Sequence, residues 1–530
     1  MALLIGGPKT HIKDRIGRLI NRFSHRSFAD RESNIPRVIQ DCADENHQSF
    51  ADRETTIPRV IKDCVDENTQ ALNSPIQQLP LELLQIIFDY VCECNLLHCL
   101  ESSAPTGPPT KLKTPATKLP VPLSLIPALS IGSTCTEWYS IACSTPSLWS
   151  RFELEISCRS SQKVVCFTKI VQLFLERSGK DFLTIRLHLK GLDRLVHSPV
   201  MHLLLQRSHR WQILQYDGDL TISDHIPIGF QFTKLQAIEV QRVTPGADRL
   251  EPFALAPKLR TLGIPSIGPT TTPLLKRITT LQTFMDSFYD FADHCPRLTT
   301  ATLWAQKKKW APSFSLLQTH RCLVHLRTLR LGLYDLDMEN NLLKYMLSSF
   351  NLPALTELHM HARHVTSSPC VWPQHQFTLF LSNSSCQITT LVLLQMRIPC
   401  QDLISILGCL PSLTYLHISD QFILPDQSPI TPELICNLCW STESGCLRLV
   451  PRLSCLVLDF YGKSFDDAGF ANAVVSRWAP DPKMAKALGI ECLRAVVLHC
   501  YNYQVDTSSY KVLRFLENEG LRVVVYSRGY

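Results

Sequence analysis

The chain has 530 residues, 45% of them hydrophobic and 19% charged, the balance of a folded protein long enough for several domains or one extended repeat array. A formal net charge of +6 is mild at this length and gives no global nucleic-acid or polyanion-binding signal. No run reaches the roughly 18 apolar residues that a membrane span needs; the nearest, Leu119 to Gly132, is short and interrupted by Pro120, Pro122 and Pro127.

In chain order, the start "MALLIGGPKTHIKDRIGRLINRF" has too brief an apolar run before Gly6-Gly7-Pro8 for a secretory signal. Ile12, Ile16, Leu19 and Phe23 have the spacing of a basic amphipathic helix, but a poorly ordered tail is the simpler reading of residues 1–73. Within that region 27–48 and 49–70 are a tandem duplication, identical at 17 of 22 positions. Each copy carries few apolar anchors (Phe28, Ile35, Val38 and Ile39 in the first), so the pair cannot build a core alone. The 21 cysteines are odd in number and scattered, a pattern that suggests reduced, mostly buried thiols in the cytoplasm or nucleus.

"SPIQQLPLELLQIIFDYVCECNLL", residues 74–97, reads as a helix with too much apolar surface. With Pro80 at zero and about 100° per residue, Glu82, Gln85 and Asp89 share one narrow polar sector, and the rest of Leu81 to Val91 is apolar or aromatic. A helix packed on one core needs an apolar stripe of only about 100°. The neighbouring sequence is poor core material: the polar duplication precedes the helix, and residues 101–122, with six prolines, follow it as a spacer-like loop. The excess therefore calls for a second surface, best supplied by a partner protein. Further on, Cys135, Trp138 and Ala142 recur in "STCTEWYSIACSTPSLW".

These two halves resemble an F-box, the adaptor-binding motif of cullin–RING ubiquitin ligases: "LPLELLQIIFDYV" is similar to its opening helix, and Cys135, Trp138 and Ala142 to its C-x-x-W-x-x-x-A helix. "STPSLW" (144–149), "ERSGKDFLTIRLHL" and "RSHRWQIL" (207–214) resemble the large F-box family of mushroom-forming (basidiomycete) fungi. The resemblance covers residues 74–155 closely, the repeats loosely and 1–73 not at all; the proline-rich insertion between the two halves departs from the pattern. It implies a substrate-recognition subunit of an SCF-type ligase. That subunit would dock on a Skp-type adaptor and the cullin–RING core through Leu79, Pro80, Leu83, Leu84, Ile87 and Phe88, with Trp138 packing nearby. The alternative is a non-catalytic interaction scaffold whose F-box acts outside ubiquitination.

From about residue 160 a short pattern, L-x-x-L-x-L, recurs. "APKLRTLGI", "CPRLTTATL", "LPALTELHM", "LPSLTYLHI" and "VPRLSCLVL" share a proline two residues before the first leucine; "FTKLQAIEV", "LVHLRTLRL", "SCQITTLVL", "IECLRAVVL" and "NEGLRVVVY" are further versions. Leu342, Leu343, Met346, Leu347 and Phe350, and again Leu403, Ile406, Leu407 and Leu410, recur at helical spacing before such strands. Helix, stop and short strand make one unit, which buries its apolar face only against its neighbours. The predicted fold is α/β: an all-α F-box over 74–155, then an irregular leucine-rich-repeat-like solenoid over 156–530 with a parallel curved sheet.

Alternation places Arg330, Glu357, His359, His361, Tyr415 and His417 on the outward strand face, where they are candidate contacts for an unidentified target protein. No complete phosphate-loop, nucleophile-elbow or zinc-protease motif occurs, so the chain reads as neither an enzyme nor a cofactor carrier. His359, His361 and His364, and Cys436-x-x-Cys439 with Cys446 and Cys455, are weak metal-like groupings of irregular spacing. "QKKKW" (306–310) is a basic run without the continuous stripe that nucleic-acid binding requires.

Overall fold

The computed structural model describes residues 76, 79–99, 126–157, 161–190, 194–218, 226, 229–241, 250–267, 272–304, 320–334, 341–363, 372–440 and 449–527. The duplication at 27–70, the proline-rich 101–122, the basic run 306–310, His364 and Cys446 lie outside the described residues. The chain divides into two compact units: Met1–Leu220 with Asp224–Ile226 and Phe230–Leu235, and the remainder to Tyr530.

In the first unit, helix α1 (Leu81–Val91) turns through Cys92 into β1 (Asn95–Cys99). Helices α2 (Pro127–Gly132) and α3 (Thr136–Ser144) and a short 3-10 turn (Pro146–Trp149) lead to β2 (Arg151–Ile156). Then α4 (Ser161–Arg177), β3 (Leu183–Leu189), α5 (Arg194–Gln206) and β4 (Trp211–Gly218) follow. The four strands pair in parallel and in chain order. Residues 74–155 are thus not all helical as the sequence suggested, and the boundary placed at 155/156 falls inside β2. The physical reason is a change of period after Cys92: Asn95, Leu97 and Cys99 are buried while Leu96 and His98 are half-exposed, the two-residue alternation of a strand.

Asn95 ties this unit together. Its fully buried side-chain amide donates to the carbonyls of Leu148 (2.8 Å) and Arg151 (3.0 Å) and accepts from the Ala128 amide (3.0 Å). One side chain therefore joins β1, α2, the 3-10 turn and β2. Arg210 is a second buried polar anchor: its guanidinium donates to the carbonyls of Asp181 (2.9 Å) and Ser178 (3.1 Å) and to the Ser178 hydroxyl (2.8 Å), closing the C-terminal end of α4.

The second unit repeats one theme. Its parallel sheet contains β5 (Ala237–Val240), β6 (Thr261–Gly263), β7 (Thr280–Phe284), β8 (Thr300–Trp304), β10 (Thr328–Tyr334) and β12 (Glu357–Arg363). It continues through β13 (Thr390–Leu394), β14 (Tyr415–Ser419), β15 (Cys455–Phe460), β16 (Ala495–Cys500) and β17 (Arg522–Ser527). These eleven strands lie side by side in chain order. The two-residue strands β9 (Arg321–Cys322) and β11 (Phe350–Asn351) form a separate small ladder. Every one of the ten L-x-x-L-x-L stretches contributes a strand of this sheet.

Register explains the pattern. Leu262, Leu281, Ala301, Leu329, Leu358, Leu391, Leu416 and Leu456 stand opposite one another in one continuous buried row. Each such leucine adds about 1.5–3 kcal/mol of burial, available only because the next repeat covers it.

The residue before each strand makes a second row. Thr299 Oγ1 donates to the Thr279 carbonyl (3.0 Å), Thr389 Oγ1 to Thr356 (3.2 Å), Thr414 Oγ1 to Thr389 (3.1 Å) and Ser454 Oγ to Thr414 (3.1 Å). The backbone amides of the same residues donate to the same carbonyls. Where this position is Arg327 or Arg494, the amide bond persists without the hydroxyl. These repeats are therefore pinned to their predecessors by a backbone amide bond, which a small hydroxyl side chain doubles at four of them.

Candidate functional site

Helix α1 has two apolar faces. Pro80 precedes its first turn, and the Pro80 carbonyl accepts the amides of Leu83 (3.0 Å) and Leu84 (3.1 Å). One face packs inward: Leu84 and Phe88 are buried, and the Phe88 ring meets Trp138 of α3 edge-on at 4.7 Å. The polar sector is fixed as well, since Asp89 accepts the Ser147 hydroxyl (2.9 Å) and pairs with Arg151. Cys135 caps α3 by accepting the Trp138 amide through its sulfur. The Trp149 indole donates to the Ala142 carbonyl (2.7 Å), so the Trp-x-x-x-Ala segment is anchored at both ends.

The other face of α1 is left open. Ile86 is 64% exposed, Leu83 46% and Leu81 49%, Pro80 is exposed, and Leu79, Ile87 and Tyr90 are half-exposed. Leu83, Ile86, Ile87 and Tyr90 follow the i, i+3, i+4, i+7 spacing of one helical stripe. Of the residues predicted to contact an adaptor, Leu79, Pro80, Leu83 and Ile87 reach this surface. Leu84 and Phe88 do not, because they form the unit's own core, and that placement corrects the sequence reading; Trp138, expected to pack nearby, lies against Phe88 in the same core. Ile86 and Leu81 belong to the exposed surface and were missed. The arc count included them, but an arc alone does not say which half meets the chain's own core.

The predicted target contacts lie on three strands of the second unit, on the face opposite the leucine row. Register sets Arg330 beside His359 and, across Val392, in line with His417; Glu357 and Tyr415 flank Thr390. Arg330 is exposed and the other five are half-buried. They are engaged with neighbours: Glu357 accepts the Thr328 hydroxyl (3.2 Å) and lies 3.5 Å from His359, while His361 bonds Gln395 (3.1 Å). Burial, reinforced by the Arg330 charge, pushes the His359 pKa down.

Further along, His417 Nε2 (2.9 Å) and His499 Nδ1 (2.8 Å) both bond Asp459. Burial alone would raise the Asp459 pKa, but the two histidine hydrogen bonds outweigh it and bring the carboxyl to about 2. Beside them Tyr461 and Tyr501 stack at 4.2 Å, and Tyr526 approaches both His499 (6.2 Å) and Tyr501 (6.4 Å). Asp459, His499 and the three tyrosines extend the predicted face. Their signal was available in the strand alternation of "LSCLVLDFY", "AVVLHCYNY" and "NEGLRVVVY".

The outward face of the first unit differs in kind. His188 lies between Glu153 (3.1 Å) and Asp217 (3.5 Å), Arg186 reaches Glu153 (3.7 Å), and Lys190 pairs with Glu155 (3.2 Å). The Glu153 hydrogen bond lifts the His188 pKa, and His188 in turn lowers that of Glu153.

Among the described residues no three His, Cys, Asp or Glu side chains converge as a metal site. His359 lies against Glu357, His361 bonds Gln395, Cys436 is exposed, and Cys455 sits on β15. The described cysteines are free thiols, but only Cys92, Cys99, Cys295 and Cys500 are buried, fewer than the sequence suggested. No helix among the described residues is long and apolar enough to cross a membrane.

No protein-family model and no curated protein matches the chain. Among solved structures, the crystal structure of a TLR13–ssRNA13 complex superimposes with a TM-score of 0.32 at 12% identity, over 73% of this chain and 47% of that one. The chain thus spans about half the length of that protein. At this level of superposition nothing is transferred from it, and the reading of the fold as a stacked α/β repeat rests on its own strand order and register.

Proposed function

We propose that the chain is a non-catalytic, substrate-recognition subunit of an SCF-type ubiquitin ligase in the cytoplasm or nucleus. The open face of α1 would bind a Skp-type adaptor, and the outward face of the second unit a target protein. The observation that carries this reading is the second apolar face of α1. Leu83 and Ile86 remain exposed on a helix whose opposite side already fills a core, and a contiguous exposed apolar stripe of this kind is the mark of an interaction surface. The F-box resemblance of "LPLELLQIIFDYV" and of the Cys135-Trp138-Ala142 helix supplies the partner class. The contribution to ubiquitin transfer is approximation, two proteins held at high effective concentration, with the chemistry carried by other subunits.

The test is co-purification of the full chain with a Skp-type adaptor. Leu83→Lys and Ile86→Lys, both at exposed positions, should each weaken capture by about 2 kcal/mol or more while leaving the thermal melt unchanged. Capture that survives the double substitution sinks the proposed interface. Substitutions at Leu84 or Phe88 would not discriminate, since they break the core first.

A further inference from the structure

The first unit contains a basic cleft of about 630 Å³ that the proposed function does not use. It opens between the end of α4, the start of β3 and the turn before β4, and Lys180, Phe182, Arg207, His209, Arg210 and Lys234 line it. That volume is within the range of small-ligand sites, about 300–1,000 Å³. Lys180, Arg207 and His209 are exposed and Lys234 is half-exposed; none of the four makes an ion pair among the described residues.

The bland reading is a solvated basic surface. Two features argue against it. At the floor lies Arg210, only 7% exposed, whose guanidinium donates to backbone carbonyls and a hydroxyl, with no carboxylate among these hydrogen-bond partners. Its charge is therefore fixed in place without a direct ion pair; burial and the nearby Arg207 disfavour it, and the Asp181 charge offsets them in part. The one carboxylate in the lining, Glu176, accepts the Gln172 side-chain amide (2.8 Å) and is outnumbered by the four Lys and Arg side chains there. Beside this charge the Phe182 ring is 48% exposed, with the Lys234 ammonium 5.7 Å from its centroid. A hydrophobic ring left open next to converging cations offers a stacking surface and an anion site within one cleft.

We propose that this cleft binds a small organic phosphate of the mononucleotide class, with the phosphate among Lys180, Arg207 and Lys234 and a planar ring against Phe182. Arg210 acts from the floor as a fixed positive charge, and the surrounding cations donate charge-assisted hydrogen bonds to the phosphate oxygens.

Isothermal titration of the full chain with AMP, ribose 5-phosphate and adenosine tests this. AMP should bind at one site per chain, and adenosine much more weakly. Arg207→Glu combined with Lys234→Glu should weaken AMP binding at least about tenfold, with an unchanged melt. Lys180→Glu, on a separate segment, should reproduce the loss. Phe182→Ala should weaken AMP but not ribose 5-phosphate. Absence of saturable AMP binding in the low millimolar range, adenosine binding as tight as AMP, or AMP affinity indifferent to the charge reversals would each overturn the proposal.

Discussion

The two units are fastened by opposite strategies. In the first, a single buried amide, Asn95, joins four elements through contacts made once. In the second, the same hydroxyl-to-carbonyl bond recurs from repeat to repeat, at Thr299, Thr389, Thr414 and Ser454. Concentration gives the first unit a definite start beneath α1, at the risk that one substitution undoes it. Distribution makes the second unit tolerant, because no single rung is decisive. Their outward faces differ in the same sense: an interlocked set of charges around Glu153 and His188 in one, and histidines and tyrosines around Asp459 in the other.

The largest effect expected from breaking this contrast is at Asn95. Asn95→Leu keeps the volume but strands the Ala128 amide and the Leu148 and Arg151 carbonyls, so it should cost about 3 kcal/mol or more in chemical denaturation. A loss below about 1 kcal/mol would mean that the clasp is replaceable and the contrast false. Thr389→Val should cost only about 0.5–1 kcal/mol, since the Thr356 carbonyl keeps the backbone amide. A penalty as large as that at Asn95 would show the ladder to be cooperative rather than distributed.

The smallest effect is in pH dependence, with opposite signs in the two units. The His188 pKa is raised, so its contribution is complete below the unfolded value of about 6.5 and fades as pH rises through the folded one. The stability difference between wild type and His188→Gln should therefore shrink as pH rises above about 6.5. The His359 pKa is lowered, so its neutral form is favoured and stability is lost as pH falls below about 6.5. The corresponding difference for His359→Gln should grow with rising pH. Parallel slopes for the two variants would contradict the contrast.

The second unit was legible in the sequence because its rows repeat: a two-residue alternation written ten times declares both strand and register. The first unit was legible only in part. β1 is five residues long and continues an apolar helix, so "NLLHC" carried no independent signal. Nothing in one occurrence of Asn95 announces a partner 33 or 53 residues away. Helical periodicity likewise showed that α1 had surplus apolar surface, but Leu84 and Phe88 could be separated from Leu83 and Ile86 only once Trp138 had a position. The hydroxyl row was written in the sequence as the Thr or Ser after the first apolar residue of the pattern in about half of the repeats. Its role stayed hidden because a threonine before a strand is ordinary β-forming material.

The hydroxyl ladder also bears on how such a chain can change over time. Every repeat offers its neighbour the same carbonyl and takes the same one in return, so any two repeats are matched at their junction. Excision of one whole repeat brings together edges that still fit, whereas excision of part of one shifts leucines out of their row. Length is therefore quantised in this unit: the natural step of variation is a complete helix-and-strand module, and the uneven spacing between modules is absorbed in the connections rather than in the sheet.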